Sequence, residues 1–179
     1  MDNFYVITGG PGVGKTTLLT ELEKVGFRIV HEDARRIIQN EVKKGGDGLP
    51  WKNKAYYTKL MIEESIKTYK LLSESGSSDI HFFDRGIFDA FCYADMIGID
   101  IEDHLKKAVS DIRYNRKVFL LPPWKRIYEN DNERKQEWNE AISTYNAMKL
   151  TYRKYGYELM EVPIGTIANR ADFVISQIG

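Results

Sequence analysis

Five short apolar runs divide the chain, and each is bounded by glycine, proline or charged residues. They lie at residues 4–8, 27–31, 80–83, 117–121 and 157–162. Runs of this length and composition are typical of buried strands. Because strands that are apolar on both faces belong inside a layered fold, the pattern predicts a parallel sheet covered by helices on both sides.

The segments between these runs repeat apolar residues every three or four positions, which is the helical periodicity. The predicted helices lie at residues 18–25, 34–42, 52–75, 87–97, 102–112, 131–155 and 167–178. Since crossovers between parallel strands are right-handed, the loops that follow the strands gather at one edge of the sheet. Ligands of such sheets bind at that edge. The sequence therefore predicts an α/β fold with its binding site after the strands.

Composition narrows the class of protein. The chain has 179 residues, with 26 Lys plus Arg and 26 Asp plus Glu, which is typical of one domain without the basic excess of nucleic-acid binders. A single cysteine excludes an intrachain disulfide and disfavours a cysteine-based zinc site. No apolar run is long enough to span a bilayer. We expect one cytoplasmic domain over residues 1–179, with no nucleic-acid or membrane partner.

The strongest chemical signal is a Walker A pattern after the first strand. Glycines there let backbone N–H groups turn inward as an anion-binding nest, and the following helix adds its positive end. The lysine is a point charge for the β and γ phosphates, and the first threonine is a ligand for Mg²⁺. The predicted nucleotide-binding residues are Gly9, Gly10, Pro11, Gly12, Val13, Gly14, Lys15, Thr16 and Thr17.

A second signal is the pair Asp84-Arg85 after the third strand. The Asp84 carboxylate has the place of a Walker B acid, which holds Mg²⁺ or polarises the attacking group, although an Asp here is also a common helix cap. Motor ATPases usually have a glutamate next to activate water. Here the next residue is Arg85, whose guanidinium can stabilise charge on a phosphoryl group during transfer.

These motifs resemble the small P-loop kinases that act on nucleosides and nucleoside monophosphates. The chain is more closely similar to a family of predicted bacterial P-loop ATPases, related to nicotinamide riboside kinase-like AAA domains and to GTP-binding domains of some animal proteins. The residues that carry this match are GGPGVGKTT at 9–17, His31-Glu32-Asp33-Ala34-Arg35, the Gly46–Pro50 loop before Trp51, Phe83-Asp84-Arg85-Gly86, Tyr114-Asn115-Arg116, Pro122-Pro123-Trp124 and Glu133-Arg134-Lys135-Gln136.

The resemblance implies further roles. In such kinases an acid after the second strand is the base for the acceptor hydroxyl, a place held here by Glu32 and Asp33. Both could equally cap the following helix and favour its dipole. Gly86 replaces the serine or tyrosine common in these kinases, which leaves the acceptor class open.

The resemblance also implies a lid over the phosphates. The predicted segment is 122–136, with Arg126, Arg134 and Lys135 as the donors to phosphate. Closure of a lid excludes water from the transferring group. The alternative is a solvated, ion-paired helix start, since acidic residues are interspersed with these cations.

The function predicted is transfer of a phosphoryl group from ATP, with Mg²⁺, to a small acceptor such as a nucleoside, nucleotide or similar metabolite. Two alternatives are an ATPase or GTPase that uses water and a regulatory switch that binds nucleotide without turnover. Neither the preferred base, ATP or GTP, nor the oligomeric state is encoded in a pattern that we can identify.

Overall fold

The computed structural model describes residues 2–125 and 138–178. The five strands form one fully parallel sheet in the order β2-β3-β1-β4-β5, which confirms the predicted fold class. Their bounds are β1 Phe4–Gly9, β2 Arg28–Val30, β3 His81–Asp84, β4 Lys117–Leu121 and β5 Glu158–Glu161.

Helices connect the strands and cover both faces of the sheet. Those in the described ranges are α1 Lys15–Lys24, α2 Asp33–Lys44, α3 Lys54–Glu74, α4 Ile87–Met96, α5 Asp103–Val109, α6 Trp138–Lys154 and α7 Ile167–Ser176. Residues 131–137 of the predicted sixth helix lie outside the described residues. None of the helices described here has the length and apolar character that a membrane span requires.

Alternate side chains of β1 serve two separate cores. Phe4 and Val6 pack in the cluster that α3, α4, α5 and α6 cover, whereas Tyr5 and Ile7 pack in the cluster under α1 and α7. All four side chains are at most 2% exposed. Because successive strand residues point to opposite faces, a central strand buried on both sides must be apolar throughout.

The central strand ends where the predicted motifs begin. In the register of the sheet, Ile7 is paired with Asp84 of β3, and Gly9 with Leu121 of β4. Gly9 has φ +150°, and a Cβ there would lie 2.8 Å from the Leu121 carbonyl oxygen. The glycine therefore lets the chain leave the sheet while it stays close to β4.

Candidate functional site

The P-loop joins β1 to α1 at the carboxyl edge of the sheet. Gly12 and Gly14 have positive φ values of 71° and 84°, which side-chain-bearing residues rarely adopt. Nζ of Lys15 donates to the carbonyl oxygens of Gly9 and Gly10, at 2.9 Å each. The amino group thus lies across the loop, where an anion held by the loop's N–H groups would meet it.

Lys15 is 8% exposed, and its environment changes its acid strength. Burial and the neighbouring Arg85 charge lower its pKa to about 7, against the opposing effect of Asp84, Glu32 and Asp89. A buried ammonium without enough counter-charge releases its proton easily. The arrangement therefore favours an anionic ligand, which would restore the charge.

Arg170 supports the same loop from α7 and was missed in the sequence. Its Nη2 donates to the Val13 carbonyl at 3.1 Å, and its Nη1 lies 2.8 Å from where a Cβ of Gly14 would stand. Arg170 is 4% exposed, and burial lowers its pKa. The only sequence signal was a charge that interrupts the apolar pattern of the last helix.

Asp84 stands at the end of β3, half-buried, with its Oδ1 buried and without a hydrogen-bond partner in the described part of the chain. Burial raises its pKa, against the opposing charge of Lys15. Thr16 is exposed in the first turn of α1. An orphaned carboxylate oxygen and a hydroxyl fit Mg²⁺, which takes few protein ligands when substrate phosphates supply the others. Within residues 2–125 and 138–178, no larger cluster of His, Cys, Asp or Glu could hold a metal.

Arg85 has an unusual backbone and several partners. It is a non-glycine residue with positive φ, 70°. Nη1 donates to the Gly9 carbonyl and to Asp89 Oδ1, both at 3.2 Å. Nε lies 2.8 Å from Glu32 Oε1, an ion pair by distance that lacks the alignment of a hydrogen bond. Burial alone would lower the pKa of Arg85, but the carboxylates of Asp89, Glu32 and Asp84 outweigh it and raise the pKa.

The two acids after β2 have different surroundings. Glu32 faces Arg85, as described above, and precedes α2 without making a side-chain cap. Asp33 instead accepts from Arg36 Nη2 at 2.6 Å and from the Thr68 hydroxyl at 3.2 Å. The structure thus places Glu32 beside Asp84 and Arg85 and joins Asp33 to α3.

A small pocket of about 30 Å³ lies beside these acids, between β3 and α3. Met61, Ser65 and Thr68 of α3 form one wall. Close by, the Tyr57 and Tyr93 rings meet edge to face at 6.3 Å, and burial followed by the Glu32 charge raises the pKa of Tyr57 to about 12. Neither tyrosine was identified in the sequence, because aromatic residues on helices usually signal only core packing.

Asp89 is a further residue that could not be identified from the sequence. It is 5% exposed in the first turn of α4 and contacts Arg85 through Oδ1. The predicted lid donors Arg126, Arg134 and Lys135 lie outside the described residues. Pro122 and Pro123, which begin the predicted lid segment, directly follow β4 and are partly buried.

Comparisons with known proteins agree with this geometry. The family model described as AAA domain matches residues 4–170, and this confirms the resemblance indicated by the motifs. A search of curated proteins gives no match.

Solved structures share the fold. The crystal structure of NadR protein in complex with NR has a TM-score of 0.73 and 20% identity, covering 99% of this chain and 52% of that chain. NadR in complex with NAD and AMP-PNP has a TM-score of 0.70 at 20% identity, over 99% of this chain and 50% of that one. The present chain therefore spans about half the length of NadR. A deoxyadenosine kinase from M. mycoides with bound dATP gives 0.61 at 15% identity over 97% of both chains.

Proposed function

Because this chain belongs to the AAA domain family of P-loop proteins, we propose that it transfers the γ-phosphoryl group of ATP to a hydroxyl of a small acceptor, with Mg²⁺. The acceptor class is a nucleoside, a nucleotide or a similar metabolite. The family and the kinase-like fold make the chain a nucleotide-binding P-loop kinase or NTPase. What we propose beyond this is that the phosphoryl group passes to a small acceptor rather than to water, and that the acceptor belongs to the class named above.

One observation carries the proposal: Glu32 lies 2.8 Å from Arg85, and both line the same pocket as Asp84. Hydrolysis needs only a water molecule next to the γ-phosphate. A kinase needs an acid and an open space on the far side of that phosphate, next to a group that neutralises the transferred charge. Glu32 and Arg85 are such an acid and such a group, and the pocket that both line marks the side on which the acceptor would bind.

The proposed step uses groups already in place. The acceptor oxygen attacks the γ-phosphorus, the bond to the β–γ bridging oxygen breaks, and ADP leaves with that electron pair. The hydroxyl proton passes to the Glu32 carboxylate. Lys15 and Arg85 neutralise charge that develops on the phosphoryl oxygens. Thr16 and Asp84 would hold Mg²⁺, which would neutralise negative charge on the phosphates.

Glu32 is a better candidate for the base than Asp33. The Asp33 carboxylate is engaged by Arg36, which also bonds Glu64 at 2.6 Å, so it serves to join α2 to α3. A base must be within reach of the proton that it accepts. Glu32 is held only by Arg85 among the contacts described, and a phosphate ligand would compete for that guanidinium.

The structural neighbours suggest which acceptors to test. NadR has been crystallised with NR, and a deoxyadenosine kinase with dATP. Both support an acceptor with a sugar hydroxyl. Nucleosides, nucleoside monophosphates and nicotinamide riboside are therefore the first pools to offer.

The test is a transfer assay with γ-labelled ATP or GTP and Mg²⁺, with each acceptor pool and without acceptor. Label on one pool would support a kinase, and separate members of that pool would identify the substrate. Release of label only as inorganic phosphate, at one rate with and without acceptors, would instead make the protein a hydrolase. Binding without release of label would make it a switch.

Matched variants assign the roles. Lys15→Ala should abolish turnover, whereas Lys24→Ala on the same helix should not, because Lys24 only pairs with Glu21 on the surface. Glu32→Gln should abolish transfer, with Asp33→Asn much milder. Equal transfer by the Glu32→Gln variant and the wild type would remove Glu32 from the mechanism.

A further inference from the structure

Asp89 lines the same pocket as Glu32 and Arg85, and the reaction described above does not use it. The side chain is 5% exposed, four residues after Arg85. A buried carboxylate costs free energy unless hydrogen bonds and positive charge compensate it. Its partners therefore indicate what it does.

Four donors converge on the two carboxylate oxygens of Asp89. Oδ1 accepts from the Thr8 hydroxyl at 2.5 Å and from Arg85 Nη1 at 3.2 Å. Oδ2 accepts from the Tyr152 hydroxyl at 2.5 Å and from the Gly86 N–H at 2.9 Å. Thr8 and Tyr152 are completely buried. The carboxylate thus joins β1, α4 and α6 at one point.

Arg85 requires such a restraint. Its backbone has φ 70°, in the left-handed region that side-chain-bearing residues rarely adopt. Its charge also opposes the charge of Lys15. The Glu32 carboxylate, 2.8 Å from Nε, would compete for the guanidinium if the contact with Asp89 were lost.

We infer that Asp89 is a positioning residue that fixes Arg85 at the phosphate end of the pocket. The inference rests on the proposed function and deepens it, because it explains how one arginine remains close to both the P-loop and the acceptor side. The four hydrogen bonds that Asp89 accepts all come from protein groups. We therefore expect it to act on the reaction through Arg85 rather than by contact with the substrate.

Gly86 supports this assignment. A Cβ at this position would lie 2.9 Å from the Tyr152 hydroxyl oxygen and 3.0 Å from Val6 Cγ2. Gly86 has φ −106°, so its backbone does not demand glycine. The absent side chain instead lets Tyr152 reach Asp89. The glycine at position 86 is therefore explained by the contact between Tyr152 and Asp89, and it gives no information about the acceptor.

An asparagine cannot replace Asp89 here. Its amide has one acceptor oxygen and one donor nitrogen. The Thr8 and Tyr152 hydroxyls can turn to accept a hydrogen bond, but the Arg85 guanidinium and the Gly86 N–H can only donate. Asp89→Asn therefore leaves one of these donors facing another donor and removes the negative charge.

The decisive experiment is a double-mutant cycle of Asp89→Asn and Arg85→Ala, with turnover and thermal stability measured for each protein. We expect Asp89→Asn alone to lower kcat by about tenfold or more and to change kcat by less than about twofold in the Arg85→Ala background. The loss of thermal stability should persist in both backgrounds. A purely structural Asp89 would lower kcat by the same factor in both, and that result would overturn the inference.

A second variant covers a failure of Asp89→Asn to fold. Tyr152→Phe removes one donor to Oδ2 and retains the carboxylate. It should lower kcat several-fold only when Arg85 is present. Tyr145→Phe on the same helix is the matched control, because Tyr145 packs in another cluster. Equal effects of the two phenylalanine variants would also contradict the inference.

The same cycle separates this inference from the proposed function. If the wild type neither transfers nor hydrolyses, the proposed function fails, and the cycle is repeated with the Kd of Mg–ATP. Weaker binding through Asp89→Asn only in the presence of Arg85 would uphold the positioning role. Additive changes in Kd would overturn it.

Discussion

Lys15 is the residue whose protonation should respond most when a triphosphate binds. Its pKa is lowered to about 7 by burial and by Arg85. The unfolded or exposed side chain keeps its proton up to about pH 10.4. A bound triphosphate favours the charged form and raises the pKa again. Above pH 7, binding should therefore take up a proton.

We predict that the affinity for Mg–ATP falls as the pH rises above 7, with a limit of about tenfold per pH unit when one proton is taken up. Titration calorimetry from pH 7.5 to 9 in buffers of different ionisation enthalpy counts that proton. Lys15→Met, which has no amino group, should bind more weakly and take up no proton through this position. The same proton uptake in Lys15→Met and the wild type would assign the titration to another group.

Gly86 gives a second prediction for a single residue. Gly86→Ser places a Cβ against the Tyr152 hydroxyl and Val6. Because the neighbours are buried, we expect the free energy of unfolding to fall by about 1–3 kcal/mol and turnover to fall with it. Chemical denaturation measures the first effect.

Gly165→Ser is the matched control for this change. A Cβ at Gly165 meets only Asn169, at 3.8 Å and beyond. Its stability should stay within about 0.5 kcal/mol of the wild type. A Gly86→Ser protein as stable and active as that control would show that Tyr152 can move aside.

At the scale of elements, α7 lies behind the P-loop and supplies a charge to it. The Arg170 guanidinium donates to the Val13 carbonyl from the side opposite the pocket. Its Nε is buried without a hydrogen-bond partner in the residues described. A buried cation with unfilled bonding capacity is costly in the free protein and favourable when an anion binds nearby.

We predict that Arg170→Gln lowers the affinity for ATP by about tenfold and affects ADP less and adenosine least. The order follows from the decreasing negative charge of the ligands. Stability of the free protein should change little, since the lost hydrogen bond is offset by relief of desolvation. Fluorescence or calorimetric titrations measure the series.

Arg153→Gln serves as the control for Arg170→Gln, because Arg153 is an exposed residue in the last turn of α6. It should bind all three ligands like the wild type. A uniform loss across ATP, ADP and adenosine in Arg170→Gln would indicate a change of loop shape rather than a loss of charge.

The elements also show how far sequence can predict this protein. The strands could be predicted because each is an apolar run that ends at glycine, proline or a charge, and the P-loop because its spacing follows from phosphate binding. Asp89 could not be predicted, because its partners Thr8 and Tyr152 are 81 and 63 residues away in the chain. Arg170 reaches Val13 across 157 residues. Contacts between residues so far apart in the chain can be predicted only when the order of the strands in the sheet is known.

At the scale of the whole molecule, charge is concentrated at one edge of the sheet. The charges of Glu32, Asp89 and their neighbours shift the pKa values of Lys15, Asp84 and Arg85 there. The two cores behind this edge are apolar and close-packed. The fold is thus stabilised by its cores, and a ligand bound to the P-loop and Lys15 at this edge should add to the stability of the entire domain.

The phosphates, rather than the base, should dominate that stabilisation. Among the described residues, the candidate groups for binding the nucleotide are the P-loop, Lys15 and Arg85, and each of them would contact the phosphates. A ligand at about a hundred times its Kd stabilises the folded state by about 2.7 kcal/mol. We therefore predict that Mg–ATP and Mg–GTP raise the melting temperature by similar amounts, that ADP gives a smaller rise, and that adenine, which lacks the sugar hydroxyl of a proposed acceptor, gives none. Lys15→Met should lose most of the rise, and Lys24→Met on the same helix should keep it. A large shift with one triphosphate only would show that residues beyond these phosphate groups recognise the base, and a shift with adenine would contradict the dominance of phosphate.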